Sequence, residues 1–413
     1  MTNRDIEIMA PVGSWESLVA AGQAGANSIY FGVEQLNMRT KSSSANFTVE
    51  DMAEIVSRSK SYGMKSYLTL NTIIYDYDLT LMKRIIDQAK AAGVTAIIAA
   101  DQAVLSYAHQ QKVELHISTQ ANISNIEAVK FYAIFADVVV LARELSLTQV
   151  RKIYDAIQEE QIKGPAGKLI EIEMFAHGAL CMAVSGKCYL SLHEENSSAN
   201  RGACLQTCRK TYTVTNKETG YQLDIENENI MSPKDLNTIG FVDQMIEAGV
   251  RVLKIEGRAR PAEYVKIVSE CYRQAADSYV DGSFSREKVA VWNEQLSTVF
   301  NRGFWDGYYL GRKIGEWTDS YGSKATKQKV YIGKGTNYFK KLGVAEIKLE
   351  AGDLKIGDEI LITGPTTGVI QMTISELRVE LQAVESAEKG SFVSTTVPDV
   401  VRKADKVYKM IPV

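Results

Sequence analysis

Four of the five cysteines, Cys181, Cys188, Cys204 and Cys208, fall in one short stretch with the spacing C-x6-C-x15-C-x3-C. Thiolates are soft ligands, so four of them around one point suit zinc or an iron–sulfur cluster. Structural zinc sites usually pair two short knuckles, and only Cys204 and Cys208 are that close. The array therefore reads as an iron–sulfur ligand set gathered from several loops, with zinc and unligated buried thiols as the alternatives. Cys271 lies in a helix-like run at 261–280 and reads as a small core hydrophobe. His177, shortly before Cys181, would allow a thiolate–imidazole pair of the hydrolytic kind. Such a pair has no use for three further cysteines, and the chain contains neither H-E-x-x-H nor G-x-S-x-G. Hydrolysis is the weaker reading of these residues. His177 could instead be a hydrogen-bonded core histidine, and His193 reads as surface.

These groups need a scaffold, and the flanking sequence supplies a repetitive one. Short apolar runs at 6–10, 28–32, 65–71, 96–101, 114–120, 138–143, 169–177 and 252–256 read as buried strands. Helix-like segments separate them, among them 49–61, 79–92 and 148–160. The phrase Ala-Gly closes a helix just before three of the strands, at Gly25, Gly93 and Gly249. Eight alternating units fit a closed (β/α)8 TIM-like barrel better than an open sheet. Helices at 261–280 and 287–300 follow the eighth strand. Polar residues gather at strand ends, where such barrels place their active sites: Asn71, Asp101, Gln120, Arg143, His177, Glu256 and Arg258. Some of these would equally serve as helix caps. The rhythm breaks at 179–230, a cysteine-rich insertion after strand seven. The barrel is thus expected over 1–320, and short β-like runs with turn residues predict a small C-terminal β-barrel over 326–413.

Composition narrows the classes. Of 413 residues, 45% are hydrophobic and 23% charged, close to the average for globular domains and far from disordered chains. No apolar run approaches the roughly 18 residues of a membrane helix. The N-terminus alternates polar and apolar residues without an apolar signal core, which predicts a cytoplasmic protein. With 47 Lys+Arg against 50 Asp+Glu the net charge is -3, so nucleic-acid contact would need a local basic patch. Between residues 321 and 345 lie Lys324, Lys327, Lys329, Lys334, Lys340 and Lys341 with no acidic residue, interleaved with Tyr331, Tyr338 and Phe339. Lysines neutralise phosphates and aromatics stack on bases, although a solvated basic face would look the same. Arg201 and Arg209, beside the cysteines, offer an anion grip near the cofactor or else cap loops.

The run Glu173-Met-Phe-Ala-His-Gly-Ala-Leu-Cys181-Met-Ala-Val-Ser-Gly-Lys-Cys188-Tyr-Leu-Ser191, followed by Asn200-Arg-Gly-Ala-Cys204-Leu-Gln-Thr-Cys208-Arg209, closely resembles the signature of the peptidase U32 family of collagenase-like proteases. Ala10-Pro-Val-Gly13, Leu253-Lys-Ile-Glu-Gly-Arg258 and Gly352-Asp-Leu-Lys-Ile-Gly-Asp-Glu-Ile-Leu-Ile362 extend the likeness over most of the chain. Despite the family name, the resemblance implies oxygen-independent hydroxylation: of the tRNA wobble uridine, of a ribosomal RNA cytidine, or of the ubiquinone ring in paired relatives. It implies that Cys181, Cys188, Cys204 and Cys208 ligate a [4Fe-4S] cluster, although ligand sets vary among relatives. In the RNA branch it implies prephenate as hydroxyl source, and length and C-terminal region resemble the tRNA-modifying branch most. The expected substrate is then tRNA, with a protein partner or paralogue as a further implication. His177, Glu256 and Arg258 become the proton-handling and anion-binding candidates at the barrel mouth. A peptidase and a non-catalytic RNA-binding protein are the competing expectations.

Overall fold

A computed structural model describes residues 5–39, 47–220, 222–223, 231–311, 315–319 and 322–413. Eight parallel strands form the centre: β1 (Glu7–Pro11), β2 (Ser28–Phe31), β3 (Lys65–Thr69), β4 (Ala96–Ala99), β5 (Glu114–Ile117), β6 (Val138–Val140), β7 (Glu171–Gly178) and β8 (Val250–Ile255). Each pairs with the next in order, and β8 bonds to both β7 and β1, which closes the barrel. These are the eight strands the apolar runs predict. Their near-continuous burial follows from being covered by helices outside and by side chains of opposite strands inside.

Local signals set the helices. Helix α1 (Trp15–Gln23) starts where Ser14 accepts a hydrogen bond from the Ser17 amide. After α2 (Met52–Ser61), α3 (Leu79–Ala92) stops at Gly93, whose φ of 76° is the left-handed conformation glycine tolerates. In α4 (Gln102–Gln110) the cap is Asp101, whose carboxylate accepts from the amides of Ala103 at 2.9 Å and Ile74 at 3.0 Å. Asp101 is therefore a cap that ties two loops together and not a cavity residue. Further on, α5 (Ile126–Tyr132) and α6 (Leu147–Glu159) complete the first six crossovers, the last opened by a Ser146–Gln149 capping box.

The break after β7 is real. Gly178 ends the strand with φ 104°, and a Cβ there would run into the Glu256 carbonyl oxygen, so the ends of β7 and β8 approach as only glycine allows. The insertion then runs through a short helix α7 (Leu190–Glu195) and a two-residue ladder, 214–215 with 222–223; residues 224–230, at its expected end, lie outside the described residues. Chain return is made by Asp235–Asn237, which pairs antiparallel with the end of β7. Helix α8 (Val242–Glu247) precedes β8, and α9 (Ala262–Val280) and α10 (Arg286–Ser297) follow it.

The C-terminal region is a separate antiparallel sheet. Its main strands are β9 (Lys327–Phe339), β10 (Val344–Leu349), β11 (Glu359–Gly364), β12 (Gly368–Thr373), β13 (Phe392–Thr396) and β14 (Lys406–Pro412), wrapped on a core that includes Ile332, Ile347, Ile360 and Val407. It docks on the barrel through Ala20, Ala262, Leu361 and Val369, with Gln23 bonded to Thr367 and Val369. Among the described residues no helix is long and apolar enough to cross a membrane.

Replacing Asp101 with alanine removes the carboxylate that accepts from both amides and leaves the cavity lining intact. We expect a loss of about 1–2 kcal/mol, seen in a thermal scan as a melting temperature about 1–3 °C lower; an unchanged midpoint would show the cap to be redundant.

Candidate active site at the barrel mouth

A cavity of about 350 Å³ opens at the C-terminal ends of the strands and is lined by all four clustered cysteines. Of the seven strand-end residues singled out by sequence, Asn71, Gln120, Arg143, Glu256 and Arg258 line it; Asp101 and His177 do not. The cysteines come from the insertion and the rest from the barrel, so the cavity is the seam between the two.

Its barrel wall is cationic around one carboxylate. Glu256 forms an ion pair with Arg39 at 2.9 Å and lies 3.5 Å from the Tyr30 hydroxyl. Burial alone would raise its pKa, but Arg39, Arg143 and Arg258 outweigh that and hold it below the usual carboxylate range, so Glu256 is ionised. Arg258 is buried and donates to Thr69 Oγ1 at 2.8 Å and Asn37 Oδ1 at 3.2 Å; burial pushes its pKa down to about 10. Arg143 lies 3.7 Å over the Phe175 ring and donates to the Ala179 carbonyl. Arg260, Arg302 and Lys254 complete the ring of positive charge. Lys254 is offset by Glu173 and Arg302 by Asp235, but Glu256 alone cannot balance Arg39, Arg143 and Arg258, so the cavity suits a ligand with more than one negative charge. Arg39 and Lys254 were not singled out from the sequence. Arg39 sits in a loop with no recognisable pattern, whereas Lys254, a cation inside the apolar run at 252–255, was a legible anomaly.

The four thiols are free, Cys181 exposed and the others partly so. The Cys208 thiol is pushed up to about 11, chiefly by burial, against the pull of Arg209 and with Cys181, Cys204 and Cys188 adding to the rise. Cys208 is thus close enough to feel the other three thiols, and the donor set is that of a soft metal centre. Among the described residues, however, no group of three or more His, Cys, Asp or Glu stands in the arrangement that grips a metal ion. The thiols line a shared void and do not form a closed coordination sphere. Cys271 is buried against Gln295, as a core residue should be.

Four other expectations are corrected. His177 does not face the mouth: it is 1% exposed, packed against Tyr264, Tyr272 and Phe304, with Nδ1 3.4 Å from the Tyr272 hydroxyl. A bulge in β7, where Phe175 and His177 pair with the consecutive residues Lys254 and Ile255, turns the ring outward. Burial, helped by Arg260, drives its pKa down to about 3, so it stays neutral. Arg201 does not reach the cavity; it is clamped to Asp78 at 2.6 Å and lies over Tyr75 at 4.3 Å, fastening the insertion to the loop before α3. Arg209 lines the cavity, but donates to Leu180 O, Pro233 O and Ser232 Oγ and so braces loops. The basic stretch is also largely neutralised: Lys324 pairs with Asp319, Lys327 with Glu359, Lys329 with Glu263 and Lys334 with Glu350, leaving Lys340 and Lys341 at an exposed turn. His193 is exposed as expected, and Tyr321 lies outside the described residues.

The family model described as Peptidase family U32 matches residues 13–319. The chain belongs to peptidase family U32. This U32 chain is 60% identical over 409 residues, 99% of each sequence, to a Porphyromonas gingivalis protein named collagenase. It is 33% identical over 367 residues, 87% of this chain and 83% of the relative, to tRNA hydroxylation protein P1 of Bacillus subtilis. It is 34% identical over 323 residues, 76% of this chain and 46% of the relative, to a 23S rRNA 5-hydroxycytidine synthase of Escherichia coli.

Below the cavity of this U32 barrel, His116 is buried between Glu114 and Glu173, 3.5 and 3.7 Å away. Burial opposes its charge, yet the two carboxylates raise its pKa from 6.5 to about 9. A folded-state pKa raised above the unfolded value contributes stability fully present below about pH 6.5 and lost as pH rises through about 9. Thermal midpoints taken between pH 7 and pH 10 should therefore fall more steeply in the wild type than in His116→Gln; parallel curves would refute the assignment.

Proposed function

We propose that this U32 protein is an iron–sulfur-dependent, oxygen-independent RNA hydroxylase, forming 5-hydroxyuridine at the tRNA wobble position with prephenate as hydroxyl source. The observation that carries the reading is the shared cavity, lined by four thiols from the insertion and by arginines, most of them outside it. Prephenate is a dicarboxylate, and its two negative charges match the excess of Arg39, Arg143 and Arg258 over Glu256. Cys181, Cys188, Cys204 and Cys208 would hold a [4Fe-4S] cluster, which supplies one-electron or Lewis-acid chemistry when bound. Glu256, held ionised, serves as a proton acceptor or as the orienting partner of Arg39, and Arg258 and Arg143 hold carboxylate groups bidentately. The relatives named for tRNA and rRNA hydroxylation support RNA as substrate.

A peptidase is the second reading, favoured by the relative named collagenase and by the exposed Cys181. A cysteine nucleophile needs a neighbouring base, and His177 is turned away towards Tyr272.

Anaerobic purification should give a brown protein with about four irons per chain. Cys204→Ala should lose most of that iron, and RNA from a strain carrying it should lack the hydroxylated nucleoside seen with the wild type by mass spectrometry. A colourless zinc-loaded protein, or peptide cleavage undiminished in Cys204→Ala, would overturn the proposal in favour of its rivals.

A further inference from the structure

An ammonium, two carboxylates and an imidazole lie end to end inside the barrel, between the cavity floor and solvent at the opposite end. Lys254 on β8 is 5% exposed, lines the cavity and donates to Glu173 Oε1 at 2.6 Å. Glu173 on β7 is fully buried, with Oε2 3.7 Å from His116 Nδ1. His116 on β5 is 1% exposed, and its Nε2 is 3.5 Å from Glu114 Oε1 on a side chain that is 45% exposed. Glu114 and His116 are two residues apart, so strand alternation turns both to the same face.

The chain is charged but only partly bonded. Both His116 nitrogens and Glu173 Oε2 are buried without a completed hydrogen bond. Leaving such atoms unpaired is costly in a static interior. Side-chain rotations that shorten the two gaps by about an ångström would bring both into hydrogen-bond range. Such half-made contacts are what a side chain that alternates between two partners requires.

We infer that Lys254 is a proton-exchanging residue of the cavity floor, and that Glu173, His116 and Glu114 carry its proton to and from solvent at the closed end of the barrel. In one passage Lys254 Nζ gives a proton to a group bound in the cavity; the His116 imidazolium then passes its Nδ1 proton to the Glu173 carboxylate, which hands it to the Lys254 amine and is a carboxylate again. A flip of the neutral ring turns its bare nitrogen towards Glu114, through which it takes a proton from water and is an imidazolium once more. One proton enters from solvent for each delivered, and no electron moves. The groups facing His116 favour a loaded relay: Glu114 on its own strand, Glu173 from β7, Glu7 from β1, and Tyr67 from β3 with ring centroids 4.5 Å apart. Lys65 offsets Glu7 at 2.8 Å, Lys254 offsets Glu173, and Glu171 adds a more distant negative charge. The imidazole, with its pKa near 9, is therefore protonated at neutral pH.

The passage stands apart from the RNA reading, whereas its use in hydroxylation rests on that reading. The test uses the full chain with ¹⁵N-labelled histidine, the His116 ring signals identified by their loss in His116→Gln, and exchange with water measured by magnetisation transfer. Glu114→Gln should slow ring-proton exchange, and adding Lys254→Arg should slow it at least tenfold further, because arginine keeps the pair with Glu173 but does not give up its proton. Equal rates in Glu114→Gln and the double variant would overturn the connection to the cavity. Wild-type rates in both would reduce the column to a fixed ion pair. In cells, Lys254→Arg should lower the hydroxylated nucleoside at least tenfold, and wild-type levels would refute the relay's use. If wild-type cells make no such nucleoside, the RNA reading fails while the exchange rates still decide the passage.

Discussion

The seam between β7 and β8 governs both the fold and the site. It closes the barrel, and it does so with a charged pair in its interior, since Lys254 and Glu173 face each other with almost no exposure. An ammonium or carboxylate stripped of water is tolerated only with a close partner, so the two strands are locked in the register that brings these groups together. The same strands end at Gly178 and Glu256, whose close approach only a residue without a side chain allows. From there one chain leaves into the cysteine-bearing insertion and the other into the Glu256–Arg258 turn. The thiols and the Arg258 guanidinium share a cavity because they leave a common seam.

Electrostatics divides the molecule into three zones. At the mouth, arginines outnumber carboxylates and the surplus is positive. Beneath it, the interior holds paired charges of both signs among Tyr30, Tyr67 and Ile98. On the C-terminal sheet, lysines that look unopposed along the chain are matched by acids from other strands and from α9. Exposed pairs of that kind contribute little stability, but they cancel much of the local field.

The barrel was legible because burial on both faces leaves continuous apolar runs, and eight of them with helical spacers admit few closures. The shared cavity was legible in part: the cysteine spacing located one wall and strand-end polarity located Glu256, Arg258, Arg143, Asn71 and Gln120 on the other. What sequence could not deliver was any contact between distant segments. Arg201 beside the cysteines looked like an anion grip, and only the fold brings Asp78 against it. Six lysines without a neighbouring acid looked like a basic face, and only strand pairing brings Glu359 and Glu350 across. His177 was misplaced for a subtler reason, because one extra residue in a strand inverts the side from which the following side chains project.

That extra residue gives the strand a phase that substitution alone does not change. Any side chain at position 177 is delivered to the aromatic packing beneath α9, whereas shortening the strand by a single residue would swing the same position into the lumen. Diversification of this scaffold can thus proceed by slippage as well as by replacement, moving an unaltered imidazole between architecture and chemistry.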